Sequence, residues 1–150
     1  MKLILASDHA GFATKKILLD HLRSKIGWIV EDGGTFNEGS CHYPEYAISA
    51  SERVASGEFD FGILLCGSGM GVSIASNKVK GARCALGYHD EATQRARIDN
   101  NANLLAFGAR YMTIEDMIRR IDLFLTTPFE GGRHQVRLDL IADYEKENFK

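Results

Sequence analysis

Several common signatures are missing from this chain of 150 residues. It has three cysteines, Cys41, Cys66 and Cys84, an odd number with no CxxC pair. A disulfide framework is therefore disfavoured, and a reduced, cytoplasmic compartment fits better. The net charge is −2, so no global basic surface argues for nucleic acid. No apolar run is long enough to span a bilayer. The segment Met1 to Asp8 is too short in its apolar part for a secretory signal and reads as a first strand. No Gly-Lys-Ser/Thr loop occurs, which excludes a Walker-type nucleotide site. Gly67, Gly69 and Gly71 do not make GxGxxG, which argues against a dinucleotide site. His21, His42 and His89 stand singly, without metal-ligand spacing. No internal repeat or low-complexity tract occurs.

What is present is an ordinary globular composition, 45% hydrophobic and 25% charged. One domain over residues 1–150 is expected, with enough chain to bury a core. Short apolar runs alternate with helical spacing. Lys2 to Ser7 reads as a strand, Asp8 to Gly11 as a polar turn, and Phe12 to Lys25 as a helix. Trp28 to Val30 favours a strand and Asp32 to Thr35 a turn. Phe36 to His42 is irregular, and Tyr43-Pro44 leads into a helix over Glu45 to Ser56. Phe61 to Leu65 is continuously apolar, as a central strand is. Helices follow over Met70 to Lys78 and Asp90 to Arg97, with a strand between them over Ala82 to Leu86. After the turn Asn100 to Asn103, Leu104 to Phe107 forms the last strand. Thr113 caps a helix that runs to about Leu125, ended by Pro128. Gly131-Gly132 then precedes a final helix, Arg133 to Asn148. The pattern predicts an α/β fold: a three-layer, doubly wound, Rossmann-like parallel sheet of about five strands with helices on both faces. Such folds bind ligands at the carboxyl ends of their strands.

The segment that carries most chemistry is Phe61 to Ser73. An apolar run stops at Cys66, and glycines follow at 67, 69 and 71. A strand leading through a Gly-rich turn into a helix is a common anion cradle, because small residues admit close approach and the first helical N–H groups lack intrahelical partners. A cysteine at a helix N-terminus has increased thiolate character. The ordinary alternative is a buried small hydrophobe. A phosphatase loop would want arginine six residues after the cysteine, where Val72 stands, and a redox centre would want a second nearby cysteine. Acid–base work is the use left for a functional Cys66. Cys41 and Cys84 lack this setting and read as structural.

Other candidates are weaker alone. Asp8 and His9 form either a simple helix start or a hydroxyl acceptor beside a phosphate partner. Arg133 and Arg137 are four apart and share a helical face, which makes either a solvated basic stripe or a phosphate clamp. Arg110 follows the last strand, and Asp99 with Asn100 precedes it.

Taken together, Ser7-Asp8-His9-Ala10-Gly11, Tyr43-Pro44, Ile63 to Lys78, Asn103 to Gly108 and Gly131-Gly132-Arg133-His134 span nearly the whole chain in order. In these pieces the sequence resembles the type B ribose-5-phosphate isomerases, the family that includes the galactose-6-phosphate isomerase subunits. Within it, the cysteine points to ribose 5-phosphate rather than galactose 6-phosphate.

The resemblance implies interconversion of D-ribose 5-phosphate and D-ribulose 5-phosphate through a cis-enediolate, without metal or organic cofactor. Cys66 matches the base, and the backbone from Gly67 through Gly69 and Met70 to Gly71 matches the cradle for the enediolate oxygen. Ser68 matches a hydroxyl that assists ring opening. Asp8, His9, Tyr43 and Asn100 match sugar- or phosphate-binding positions, and Arg110, Arg133 and Arg137 match phosphate-binding arginines. It also implies a homodimer or homotetramer with sites at the subunit interface and the C-terminal helix packed on a partner subunit.

Two positions depart from the family. Asp99 stands where the ring-opening histidine is usual, and His42 replaces an aspartate before Tyr43-Pro44. Asp99 can act as base on the anomeric hydroxyl with Ser68 or water as donor; His89 or His134 could substitute. These departures leave two alternatives: isomerisation of another aldose phosphate such as allose 6-phosphate, and a non-catalytic sugar-phosphate-binding module.

Overall fold

The computed structural model describes all residues, Met1–Lys150. Five strands and six α-helices alternate along the chain: β1 (Lys2–Ser7), α1 (Phe12–Arg23), β2 (Ile29–Asp32), α2 (Tyr43–Ala55), β3 (Phe61–Cys66), α3 (Met70–Ser76), β4 (Cys84–Leu86), α4 (Asp90–Ile98), β5 (Leu104–Gly108), α5 (Ile114–Thr126) and α6 (Arg133–Asn148). The strands form one sheet in the order β2-β1-β3-β5-β4. Every pair is parallel. Moving along the chain, the order turns back between β1 and β3, which opens a crevice at their carboxyl ends. No helix is long and apolar enough to cross a membrane.

The central strands β1, β3 and β5 are almost wholly buried and largely apolar because both sheet faces are covered there. Alternate residues then serve opposite layers. Leu3, Leu5, Ile63, Leu65, Leu105 and Phe107 pack with Leu18 and Leu22 of α1 and with Met117, Ile121 and Phe124 of α5. Ile4, Ala6, Leu64, Cys66, Leu104 and Ala106 pack with Ala47, Ala50 and Val54 of α2 and with Val72 and Ala75 of α3. The expected three-layer architecture is present, with small shifts at its boundaries. Helix α3 ends at Ser76 rather than Lys78 because the Asn77 side chain donates to the Ser73 and Cys84 carbonyls and accepts the Cys84 N–H. Strand β4 is correspondingly short, and Tyr43 and Pro44 lie inside α2 rather than before it.

Helix α6 is the least embedded element, burying only His134 and Leu138. Its Val136, Leu140, Ile141 and Tyr144 are all at least half exposed. Glu145 ties it to the body by accepting the Gly81 N–H at 2.7 Å.

One buried charge fixes the crevice wall. Lys15 of α1 is fully buried. Its Nζ lies 2.5 Å from Asp32 Oδ1 and donates to the Thr35 carbonyl at 2.6 Å. Burial, partly offset by the Asp32 hydrogen bond and charge, pulls the ammonium below its ordinary value. The anchored loop pairs with the end of β1: Ser7 N–H donates to Gly34 at 2.7 Å, and Thr35 N–H donates to Ser7 at 2.8 Å. Asp8 follows directly. Lys15→Ala should therefore cost about 3 kcal/mol, since removing one partner strands the other; urea unfolding measures it. A loss under about 0.5 kcal/mol, the range of an ordinary surface substitution, would contradict this role.

Candidate active site

Strand β3 delivers Cys66 to the carboxyl edge of the sheet, with the residue 5% exposed. The chain then reverses on Gly69, whose φ is +81°. A Cβ there would meet the Phe107 carbonyl carbon at 2.9 Å, so both conformation and space demand glycine. The turn closes on itself: Gly69 N–H donates to Cys66 Sγ at 3.2 Å, and Met70 N–H donates to Ser68 Oγ at 3.2 Å. The N–H groups of Gly67, Ser68, Gly71 and Val72 have no partner within the chain. The sequence suggested a cradle over Gly67 to Gly71. Two of those donors, Gly69 and Met70, are already used to shape the turn and hold the sulfur.

Side chains from three other segments wall this turn. The Arg110 guanidinium lies against Gly67, where an added Cβ would sit 2.8 Å from Nη1. Arg110 N–H also donates to the Gly67 carbonyl at 3.0 Å. The Tyr43 ring covers Gly71, where a Cβ would come within 2.6 Å of it. Tyr88 donates its hydroxyl to the Ser68 carbonyl. Burial first, then the neighbouring Tyr111 and Cys66, raises the Tyr88 phenol above its ordinary range, which keeps it a donor. Its turn is pinned by Arg120, which donates to the Gly87 carbonyl at 2.9 Å and to Asp90 at 2.8 Å. Arg119, then Arg120, holds the Asp90 carboxyl below its ordinary value.

At the end of β1, Asp8 Oδ1 accepts from the N–H groups of Ala10 and Gly11 at 2.9 and 3.2 Å. The capping reading of Asp8 is thus correct, and its second oxygen makes no hydrogen bond within the chain. His9 Nδ1 accepts the Cys41 N–H at 3.2 Å. That bond sets the neutral ring's proton on Nε2. The Cys41 thiol lies 3.9 Å from the same nitrogen. Cys41, expected to be merely structural, therefore orients a candidate site residue through its backbone. Cys84 does behave structurally, its thiol pushed up to about 12 chiefly by burial. His42 is exposed at the N-cap of α2 and makes no capping bond.

The other candidates lie elsewhere. Asp99 and Asn100 precede β5, whose start at Leu104 pairs with Gly62, while its end at Gly108 pairs with Cys66. At about 3.3 Å per residue, the two edges are about 15 Å apart. The loop before α6 joins the amino edge, with Glu130 N–H donating to the Ile98 carbonyl. Arg133 is largely exposed and lies 3.6 Å from Glu130. Arg137, one turn on, is also exposed. Asp8, His9, Tyr43, Cys66 to Gly71 and Arg110 come together, whereas Asp99, Asn100, Arg133 and Arg137 form a second group on the opposite edge. The chain's three clefts also lie away from Cys66.

Tyr88 was not among the residues singled out in the sequence for the site. Tyr88 sits two residues past β4, at a carboxyl strand end, and that position was the available signal.

The family model described as Ribose/Galactose Isomerase matches residues 3–141. The chain is 41% identical to the probable ribose-5-phosphate isomerase B of Mycoplasma genitalium, covering 97% of this chain and 96% of that protein. Among solved structures, ribose-5-phosphate isomerase B of Clostridium thermocellum superposes with a TM-score of 0.94 at 39% identity, over 98% of this chain and 99% of that one. The Mycoplasma genitalium enzyme with bound ribulose-5-phosphate gives 0.92 at 41% identity, over 98% and 97%.

Gly69→Ala tests the turn. Left-handed backbone strain costs about 1–2 kcal/mol, and the collision with Phe107 adds to it. A loss of at least that size in thermal or urea unfolding is expected. An unchanged midpoint would show that the turn has another route.

Proposed function

This chain belongs to the ribose/galactose isomerase family, among its type B ribose-5-phosphate isomerases, and we propose that it moves a proton between C2 and C1 of a pentose 5-phosphate with Cys66 as the base. The observation that carries this is the pairing of a sulfur with free backbone donors on one rigid turn.

With the open-chain aldose bound, the Cys66 thiolate takes the C2 proton. The C–H electron pair forms the C1–C2 double bond, and the carbonyl pair moves onto O1. Negative charge then develops on an enediolate oxygen. The unpartnered N–H groups of Gly67, Ser68 and Gly71 are pre-aimed donors for it, and Arg110 adds positive charge beside Gly67. Returning the proton to C1, with loss of the O2 proton, gives the ketose. Both proton positions belong to one face of the sugar, so one base can serve both.

The phosphate needs cations, and one chain offers Arg110 at this edge while Arg133 and Arg137 lie about 15 Å away. We therefore assign the site to two copies, the amino edge of one facing the carboxyl edge of the other, as a homodimer or a homotetramer built from such dimers. The exposed apolar residues of α6 and Met70 and Ile74 of α3 supply surface for such an interface. A working thiol of this kind suits a reducing compartment, the cytoplasm. No metal or organic cofactor enters the scheme.

The test is isotope exchange. Cys66→Ala should lower exchange of the C2 proton of ribose 5-phosphate with solvent deuterium by about 10³-fold, while ligand binding stays near normal. Exchange at the wild-type rate in that variant would remove Cys66 as the base.

A further inference from the structure

Three successive peptide units link Cys66 to Gly69, and the carbonyl of each is tied down. Ala109 N–H donates to the Cys66 carbonyl at 2.9 Å, and Arg110 N–H donates to the Gly67 carbonyl at 3.0 Å. The Ser68 carbonyl accepts no backbone N–H; its partner is the Tyr88 hydroxyl. In a planar trans peptide the C=O and N–H bonds point in opposite directions. Each N–H of Gly67, Ser68 and Gly69 is therefore aimed away from the group that holds its own peptide's carbonyl. The first two have no partner within the chain, and the third donates to Cys66 Sγ at 3.2 Å.

Tyr88 is itself fixed from both sides. The preceding Gly87 N–H donates to the Ala106 carbonyl at 2.9 Å, and the Gly87 carbonyl accepts from Arg120 at 2.9 Å. A Cβ at Gly87 would come within 2.5 Å of the Phe107 ring, so this segment lies flush against β5. A Cβ at Gly108 would lie 2.5 Å from the Ser68 oxygen and 2.8 Å from the Tyr88 hydroxyl. Two glycines thus clear the space in which the phenol meets the turn. Tyr88 is still 39% exposed, so core packing does not account for the placement.

We propose that Tyr88 is a positioning residue for the Cys66 base, holding the Ser68–Gly69 peptide unit so that its N–H stays on the sulfur. This rests on the isomerase reading given above. Of the three carbonyl anchors, the other two are backbone groups of the segment after β5, and only this one is a side chain. Two effects follow from it. The hydroxyl stops the peptide from rotating and carrying the Gly69 N–H off the sulfur. It also polarises the peptide, which strengthens that N–H as a donor. Hydrogen bonds to an ionised acceptor are about twice as strong as neutral ones, so the gain is larger for the thiolate than for the thiol. An ordinary cysteine thiol titrates near about 8.5, and a larger thiolate fraction at neutral pH means more working base.

Tyr88→Phe isolates the hydroxyl and keeps the ring. It should lower kcat for ribose 5-phosphate by about tenfold, the size of one hydrogen bond to a charged group, with KM unchanged. Alkylation of Cys66 by iodoacetamide, followed against pH by peptide mass spectrometry so that Cys41 and Cys84 do not contribute, reads the thiolate directly. Its midpoint in Tyr88→Phe should move to higher pH by about one unit, the same tenfold. A variant with wild-type kcat would overturn the proposal. So would a fall in kcat with an unmoved alkylation curve, which would leave Tyr88 only a structural part. A raised KM with kcat and curve unchanged would overturn it too, placing the phenol in substrate binding. Absence of ribose 5-phosphate turnover by the wild-type protein would instead refute the isomerase reading itself.

Discussion

All five strands run in one direction, and the rest of the account depends on that polarity. A parallel sheet has a carboxyl edge and an amino edge that cannot exchange places. Here each edge carries half of a set of reactive side chains. Cys66, its glycine turn, Asp8, His9 and Arg110 occupy one edge. Asp99, His134, Arg133 and Arg137 occupy the other, a strand length away. No side-chain rotation closes a gap of about 15 Å. Either the second group has no part in the chemistry, or another copy of the chain brings it. The buried Nε2 of His134, which has no hydrogen-bond partner, and the unembedded face of α6 favour the second case.

The Cys66 turn is rigid for identifiable reasons. Phe107 leaves no room at Gly69, Tyr43 leaves none at Gly71, and Arg110 fills the space over Gly67. The same contacts that forbid side chains also keep the backbone from relaxing. Donors aimed in advance stabilise developing charge without reorganisation, and this is where electrostatic catalysis gains most. Support comes from beyond the turn as well. Asp90, Arg119 and Arg120 hold the segment that carries Tyr88 to the Ser68 carbonyl. Lys15 and Asp32 hold the loop paired to the end of β1. One support is an exposed ion-pair cluster and the other a buried charge, so salt and acid should affect them differently.

Much of this was legible in the sequence because it is local. Continuous apolar runs marked β1 and β3, Thr113 marked the start of α5, and alternating glycines marked a turn that admits close approach. The family resemblance named Cys66 and its neighbours. A parallel sheet already sets Asn100, before a strand, and Cys66, after one, on opposite edges; what could not be read was which side chains from distant segments meet. Tyr88 and Cys41 act through contacts with residues 20 and 32 positions away, which no local pattern encodes. Lys15 lies on a helix whose spacing buries it, yet its partner Asp32 sits across a strand and a turn. His134 was visible within Gly-Gly-Arg-His, but its place 3.5 Å from Asp99 required the loop after α5 to fold back onto α4.

The central claim is that one working site needs two chains. Subunit complementation tests it most directly. Cys66→Ala and Arg137→Ala proteins, each inactive alone, are mixed under conditions that exchange subunits, and mixed dimers are confirmed by native mass spectrometry. A mixed dimer contains one site with both defects and one with neither. Random pairing should then restore about a quarter of wild-type turnover. Mixed dimers that show no more activity than either parent would contradict a site shared between chains.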